Sequence, residues 1–124
     1  MKKMVIRFFV LIACMSCVWV WATKAVSKET LQENEIYVFT QKTCPHCWAV
    51  EAYLKEKHPN LKVQLRDISE LGNMNLFFVC GEKFNLKKTE MGTPLFCMGK
   101  KYIMGWSSEE QKEFEEYVKD FPQK

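Results

Sequence analysis

Ile36-Tyr37-Val38-Phe39-Thr40-Gln41-Lys42-Thr43-Cys44-Pro45-His46-Cys47 decides how this chain is read. Its first four residues are β-branched or aromatic on both faces, which suits a central strand covered on two sides. A polar stretch then leads into two cysteines three positions apart. Behind them Val50, Ala52, Tyr53 and Leu54 mark the apolar face of a helix that stops near Lys57, ahead of His58-Pro59. A strand that delivers Cys-x-x-Cys to the first turn of a helix places the thiols where free backbone N–H groups and the positive dipole end favour thiolate over thiol. In such motifs the cysteine pKa, about 8.5 when free, falls to about 3.5 to 7.5. Pro45 lacks an N–H and presets φ for entry into the helix. His46 adds a second donor, or a positive charge when protonated, which stabilises the reduced form and makes the disulfide a stronger oxidant. The competing readings are a structural disulfide and half of a zinc site. Zinc needs about four ligands, and beyond this pair only His46, His58, Cys80 and Cys97 remain, with no second Cys-x-x-Cys. The expectation is therefore a redox-active dithiol without metal or cofactor, Cys44 attacking and Cys47 resolving.

Further along the chain, Val63 and Leu65 alternate with Lys62, Gln64 and Arg66 in a short strand closing at Ile68. A second helix is expected between about Glu70 and Phe84, although Leu76 to Cys80 is apolar throughout and also fits a strand. Leu95 to Met98 and Tyr102 to Met104 flank Gly99-Lys100-Lys101 as a β-hairpin. Ser107 and Glu110 form a capping box, and Phe114, Tyr117, Val118 and Phe121 follow with helical spacing. The expected order is β-α-β-α-β-β-α: an α/β fold with a central four-stranded mixed sheet flanked by helices.

The opening stretch resembles the first strand and active-site turn of glutaredoxins, and Gly92-Thr93-Pro94-Leu95-Phe96 resembles their threonine and cis-proline loop, in the same order. The resemblance covers roughly Asn34 to Phe121 and implies a thioredoxin/glutaredoxin-like fold. It also implies that Thr93 and Pro94 face the dithiol and present backbone to an extended substrate. Cys-Pro-His-Cys itself resembles the site of periplasmic disulfide oxidases, but their large helical insertion before the cis-proline has no counterpart here. One departure concerns substrate. Glutaredoxins commonly carry Gly-Gly and a polar residue after the last strand, whereas this chain reads Met104-Gly105-Trp106-Ser107-Ser108. An indole in place of the second glycine blocks close backbone approach by glutathione and offers an amphipathic contact. Trp106 is thus expected to bind substrate, and a protein substrate is expected over the tripeptide.

The 124 residues suit one domain, and 48% hydrophobic with 27% charged residues excludes disorder for the bulk of the chain. Lys2, Lys3 and Arg7 account for the whole formal charge of +3; from Thr23 onward fifteen basic side chains face fifteen acidic ones. A basic footprint for nucleic acid is therefore absent. Those three charges precede Phe8 to Ala22, fifteen residues without a charge, the anatomy of a secretory signal. Cleavage after Val20-Trp21-Ala22, an uncleaved membrane anchor, and lipidation of Cys14 in Leu11-Ile12-Ala13-Cys14 stay open. Each places the domain outside the cytoplasm, periplasmic or anchored. The expected organisation is residues 1–22 as signal peptide or anchor, 23–34 as a polar linker and 35–122 as the domain.

Cys80 and Cys97 are read as small buried hydrophobes that can also pair in an oxidising compartment. Trp48 either packs beside the dithiol or contacts substrate. Three function classes follow: an exported thiol:disulfide oxidoreductase, a thiol-based metal-handling module, and a binding module that keeps the fold as a platform. The first is preferred, as a monomer that exchanges with exported protein thiols or disulfides and with a membrane or periplasmic redox partner. A glutathione-coupled glutaredoxin is its nearest alternative.

Overall fold

Residues 36 to 40 are buried without a break, because this strand, β1 (Ile36–Thr40), lies inside a four-stranded sheet with neighbours on both edges and layers on both faces. A computed structural model describes residues 29–123; the expected export segment, with Cys14 and Cys17, and residues 23–28 lie outside the described residues. After β1 come α1 (Pro45–Lys57), β2 (Val63–Asp67), α2 (Leu71–Lys83), β3 (Leu95–Met98), β4 (Lys101–Met104) and α3 (Ser108–Tyr117), which a 3₁₀ turn continues over Val118–Asp120. The element order is the expected one. Sheet order is β2-β1-β3-β4. β1 runs parallel to β2, with Val38 opposite Leu65, and antiparallel to β3, with Phe39 opposite Leu95.

Alternation along the strands divides the core between two faces. Ile36 and Val38 point to one side, where they meet Val50 and Leu54 of α1, Phe96, Met98, Ile103, Trp106, and Phe114 and Val118 of the C-terminal segment. Tyr37 and Phe39 point to the other, where Leu76, Phe77 and Cys80 of α2 pack with Leu95 and Cys97. The segment 76–80 is therefore helical, and its continuous apolarity reflects a helix lodged against the sheet. In α1 the buried positions are Cys47, Val50 and Leu54, whereas Ala52 is exposed. The described end of the linker is part of the packing: Leu31 contacts the second cluster, and the Gln32 N–H donates to the Tyr37 hydroxyl at 3.1 Å.

The hairpin is one residue tighter than the sequence suggests. Met98 pairs with Lys101, so Gly99 and Lys100 alone form the turn. Gly99 has φ +62, and a Cβ there would lie 2.6 Å from the carbonyl oxygen of Glu33, so both conformation and space call for glycine. Ser107 and Glu110 make the reciprocal bonds of a capping box at the start of α3.

Helices α1 and α3 are pinned by a polar contact. Glu115 accepts a bond from the Tyr53 hydroxyl and lies 2.6 Å from His58 Nε2. Burial, and then the bond to Glu115, pushes the Tyr53 phenol up to about 12. For Glu115 burial opposes the charge, but the bonds from His58 and Tyr53 outweigh it and hold the carboxyl below its ordinary value. A carboxyl depressed in the folded state contributes stability above its unfolded pKa of about 4.3, and that stability is lost as pH falls through the folded value. Glu115→Gln is expected to lower stability at neutral pH by at most about 1 kcal/mol, since the Glu115 side chain is 44% exposed. Urea unfolding of both proteins from neutral to acid pH checks this: the two curves should converge on acidification, and a gap that stays constant would show that charge at Glu115 contributes nothing.

Candidate active site

Cys44 closes the loop after β1 and caps α1. Its backbone is extended, with φ −97 and ψ 109, and its sulfur accepts the Cys47 N–H at 3.3 Å. Cys47 lies in the first turn, where its N–H has no partner further back in the helix, and Pro45 at the first position costs the helix no bond. The Cys44 thiol in turn lies 3.6 Å from the Thr93 carbonyl oxygen, where the Thr93–Pro94 peptide is cis. Pro94 is buried, and its carbonyl accepts the Gly105 N–H at 2.9 Å. Strand register explains the meeting: Phe39 one residue before the end of β1, Leu95 at the start of β3 and Met104 at the end of β4 lie side by side. Three loops converge on one edge of the sheet.

The two thiols occupy different surroundings. Cys47 is 1% exposed. Burial first, and then the bond with Cys44, raises its thiol to about 11. Cys44 is half-buried; burial is the largest influence on it and opposes ionisation, but the Cys47 thiol, the Thr93 side chain and the backbone N–H groups of Cys47 and His46 outweigh it and lower the pKa. Geometry and acidity therefore agree in making Cys44 the more exposed and more acidic thiol and Cys47 the buried, less acidic one.

The structure brings Cys44, Pro45, His46, Cys47, Thr93 and Pro94 together, and it buries Trp106 in the core. Trp106 is 9% exposed, its indole stacked on Phe96 at 5.4 Å and edge-on to Tyr53 at 5.1 Å and Phe114 at 6.0 Å. It is a core residue and not the exposed contact expected from its place in the loop. The steric argument against glutathione at this position goes with it. His46 is also corrected in part. Its side chain is exposed, and the donor it brings to Cys44 is its backbone N–H. His46→Ala keeps that donor, so most of the depression of the Cys44 pKa should survive in the variant. Thiolate absorbance against pH measures this; loss of the whole depression would assign it to the imidazole.

The aromatic that this end of the molecule offers to solvent is Trp48, 58% exposed. Its Nε1–H donates to the Lys42 carbonyl at 3.0 Å, which fixes the indole beside the Cys44 loop. Trp48 and Leu65, itself 46% exposed, border a depression of about 310 Å³ together with Thr40, Gln41, Lys42, Glu51 and Asp67. Sequence reasoning missed Leu65, which shares a face with the partly buried Val63 yet stands open to solvent in the middle of β2. Among the described residues no group of three or more His, Cys, Asp or Glu side chains is placed to hold a metal ion. No helix among them is long and apolar enough to cross a membrane.

No protein-family model matches the chain. Among solved structures it is similar to a glutaredoxin from Archaeoglobus fulgidus, with a TM-score of 0.53 and 20% sequence identity over 70% of this chain and 95% of that one. The fold is thioredoxin-like. Within that fold the dithiol sits at the junction of first strand and first helix, and the cis-Pro94 loop faces it from the start of the third strand.

Proposed function

We propose that this protein is an exported thiol:disulfide oxidoreductase acting on cysteines of other proteins. One observation carries the reading: the Cys44 sulfur caps α1, accepts the Cys47 N–H and faces the Thr93 carbonyl of the cis-proline loop, so a low-pKa thiol stands where an extended chain could lie against Pro94. In the reducing direction the Cys44 thiolate attacks a substrate disulfide and expels one substrate thiolate. Cys47 then gives up its proton and attacks the Cys44 sulfur of the mixed disulfide, which releases the second substrate thiol and leaves Cys44 and Cys47 joined. The oxidising direction is the same sequence reversed. Export rests on the Lys2, Lys3, Arg7 and Phe8 to Ala22 pattern, and a membrane or periplasmic partner resets the dithiol.

Turnover of insulin disulfides with a chemical reductant tests the activity, and its absence would leave a binding platform. The redox potential then gives the direction: about −120 to −180 mV marks an oxidant or isomerase, and about −270 mV a reductase. The burial of Trp106 favours one second reading, glutathione-coupled turnover, because the indole is packed against Tyr53, Phe96 and Phe114 rather than held out as a barrier to a tripeptide. Turnover of a glutathione mixed disulfide compared with a protein disulfide separates the two.

A further inference from the structure

Two more cysteines lie on the opposite face of the sheet, unused by this chemistry. Cys80, near the end of α2, is 0% exposed, and Cys97, in the middle of β3, is 2% exposed. They belong to one apolar cluster as free thiols, and each has the strongest influence on the other's ionisation. Their backbones differ sharply in firmness. Cys97 is held on both sides, opposite Tyr37 of β1 and Tyr102 of β4. α2 contains Gly72, Gly81, two asparagines and Val79 within thirteen residues, and its N-cap Glu70 makes no side-chain cap bond. Such a segment has little helical stability of its own and depends on what ties it to the sheet.

We propose that Cys80 and Cys97 close a second disulfide, independent of the Cys44–Cys47 pair, that fastens α2 to β3. The bond forms while α2 is off the sheet, since docking buries both thiols. With α2 off the sheet, Cys97 stays fixed between β1 and β4 at the uncovered face and is the first of the pair to meet an oxidant. The Cys97 thiolate attacks a small disulfide such as oxidised glutathione and expels one thiolate. Cys80, losing its proton, then attacks the Cys97 sulfur and expels the second. Two electrons and two protons pass to the oxidant, which leaves as two thiols. Once α2 has docked, the bond is closed off from reductants that still reach Cys44.

The test is to refold the full chain with glutathione disulfide, treat it briefly with mild dithiothreitol, alkylate, unfold and digest with trypsin without further reduction. Cys80 falls in the fragment Asp67–Lys83 and Cys97 in Thr89–Lys100. These should be recovered joined, while the fragment Thr43–Lys55 carries alkylated Cys44 and Cys47. In a Cys44→Ser/Cys47→Ser background full reduction should lower Tm by about 10 °C, and adding Cys80→Ala and Cys97→Ala should remove that dependence on reductant. The linkage should persist in a Cys44→Ser/Cys47→Ser protein, so its fate is separate from that of the proposed activity. Recovery of the two fragments singly, both alkylated, would overturn the proposal, as would a reductant-dependent Tm that survives when both pairs of cysteines are replaced.

Discussion

Cys44→Ser is expected to reduce disulfide exchange to background, a loss of about a thousandfold or more, whereas Cys47→Ser leaves the first attack intact and halts the reaction at a mixed disulfide. The asymmetry follows from position. Cys44 is half-buried, caps the helix and receives the hydrogen bonds that favour its thiolate. Cys47 is buried beneath it with its pKa raised to about 11. A serine at 44 has an alkoxide far too basic to form near neutrality, so the helix terminus has nothing to activate. With serine at 47, Cys44 still attacks, but no thiol remains to release the substrate. Non-reducing electrophoresis of Cys47→Ser with a disulfide substrate should show a band that reductant removes. Alkylation below about pH 9 should modify Cys44 and spare Cys47 in the reduced wild type. Retained turnover in Cys44→Ser would sink the assignment.

Local signals fixed most of the architecture. The two-sided apolar strand, the proline after Cys44, the proline after His58 and the Ser107/Glu110 box each carry a mechanism confined to a few residues, and the structure places elements where they point. The dithiol was legible for the same reason, since a Cys-x-x-Cys at a strand-to-helix junction needs only local geometry. Facts that depend on the third dimension were not. Whether Leu76 to Cys80 formed a helix or a strand was decided by the face of the sheet it covers, and no period in an all-apolar run reports that. Leu65, in the middle of β2, alternates like a core residue and yet stands open beside Trp48. Which of Trp48 and Trp106 faces solvent depends on what packs over each, Trp48 from the first turns of α1 and Trp106 from the loop after β4, and the neighbours of neither in the sequence report that.

Trp106→Ala is accordingly expected to act on stability, lowering it by about 3 to 5 kcal/mol, with no specific change in substrate choice. The indole fills space between Phe96, Phe114 and Tyr53. Phe114, fully buried, joins the same group of rings and contacts His58 at 5.5 Å. Removing the indole opens a cavity among residues that belong to both α1 and α3, so relaxation at one side disturbs the other. The cut is close to the catalytic loop in sequence, since Gly105, its neighbour, donates to the Pro94 carbonyl, and part of the activity lost would be loss of folded protein. Trp106→Phe separates the effects, because it keeps an aromatic surface against Phe96 while removing about a third of the buried area. Urea midpoints should fall in the order wild type, Trp106→Phe, Trp106→Ala. The ratio of glutathione mixed disulfide turnover to protein disulfide turnover, measured per folded molecule, should be the same in all three. A ratio that rises toward glutathione as the side chain shrinks, at unchanged stability, would return Trp106 to the substrate site and show that the indole leaves the core when substrate arrives.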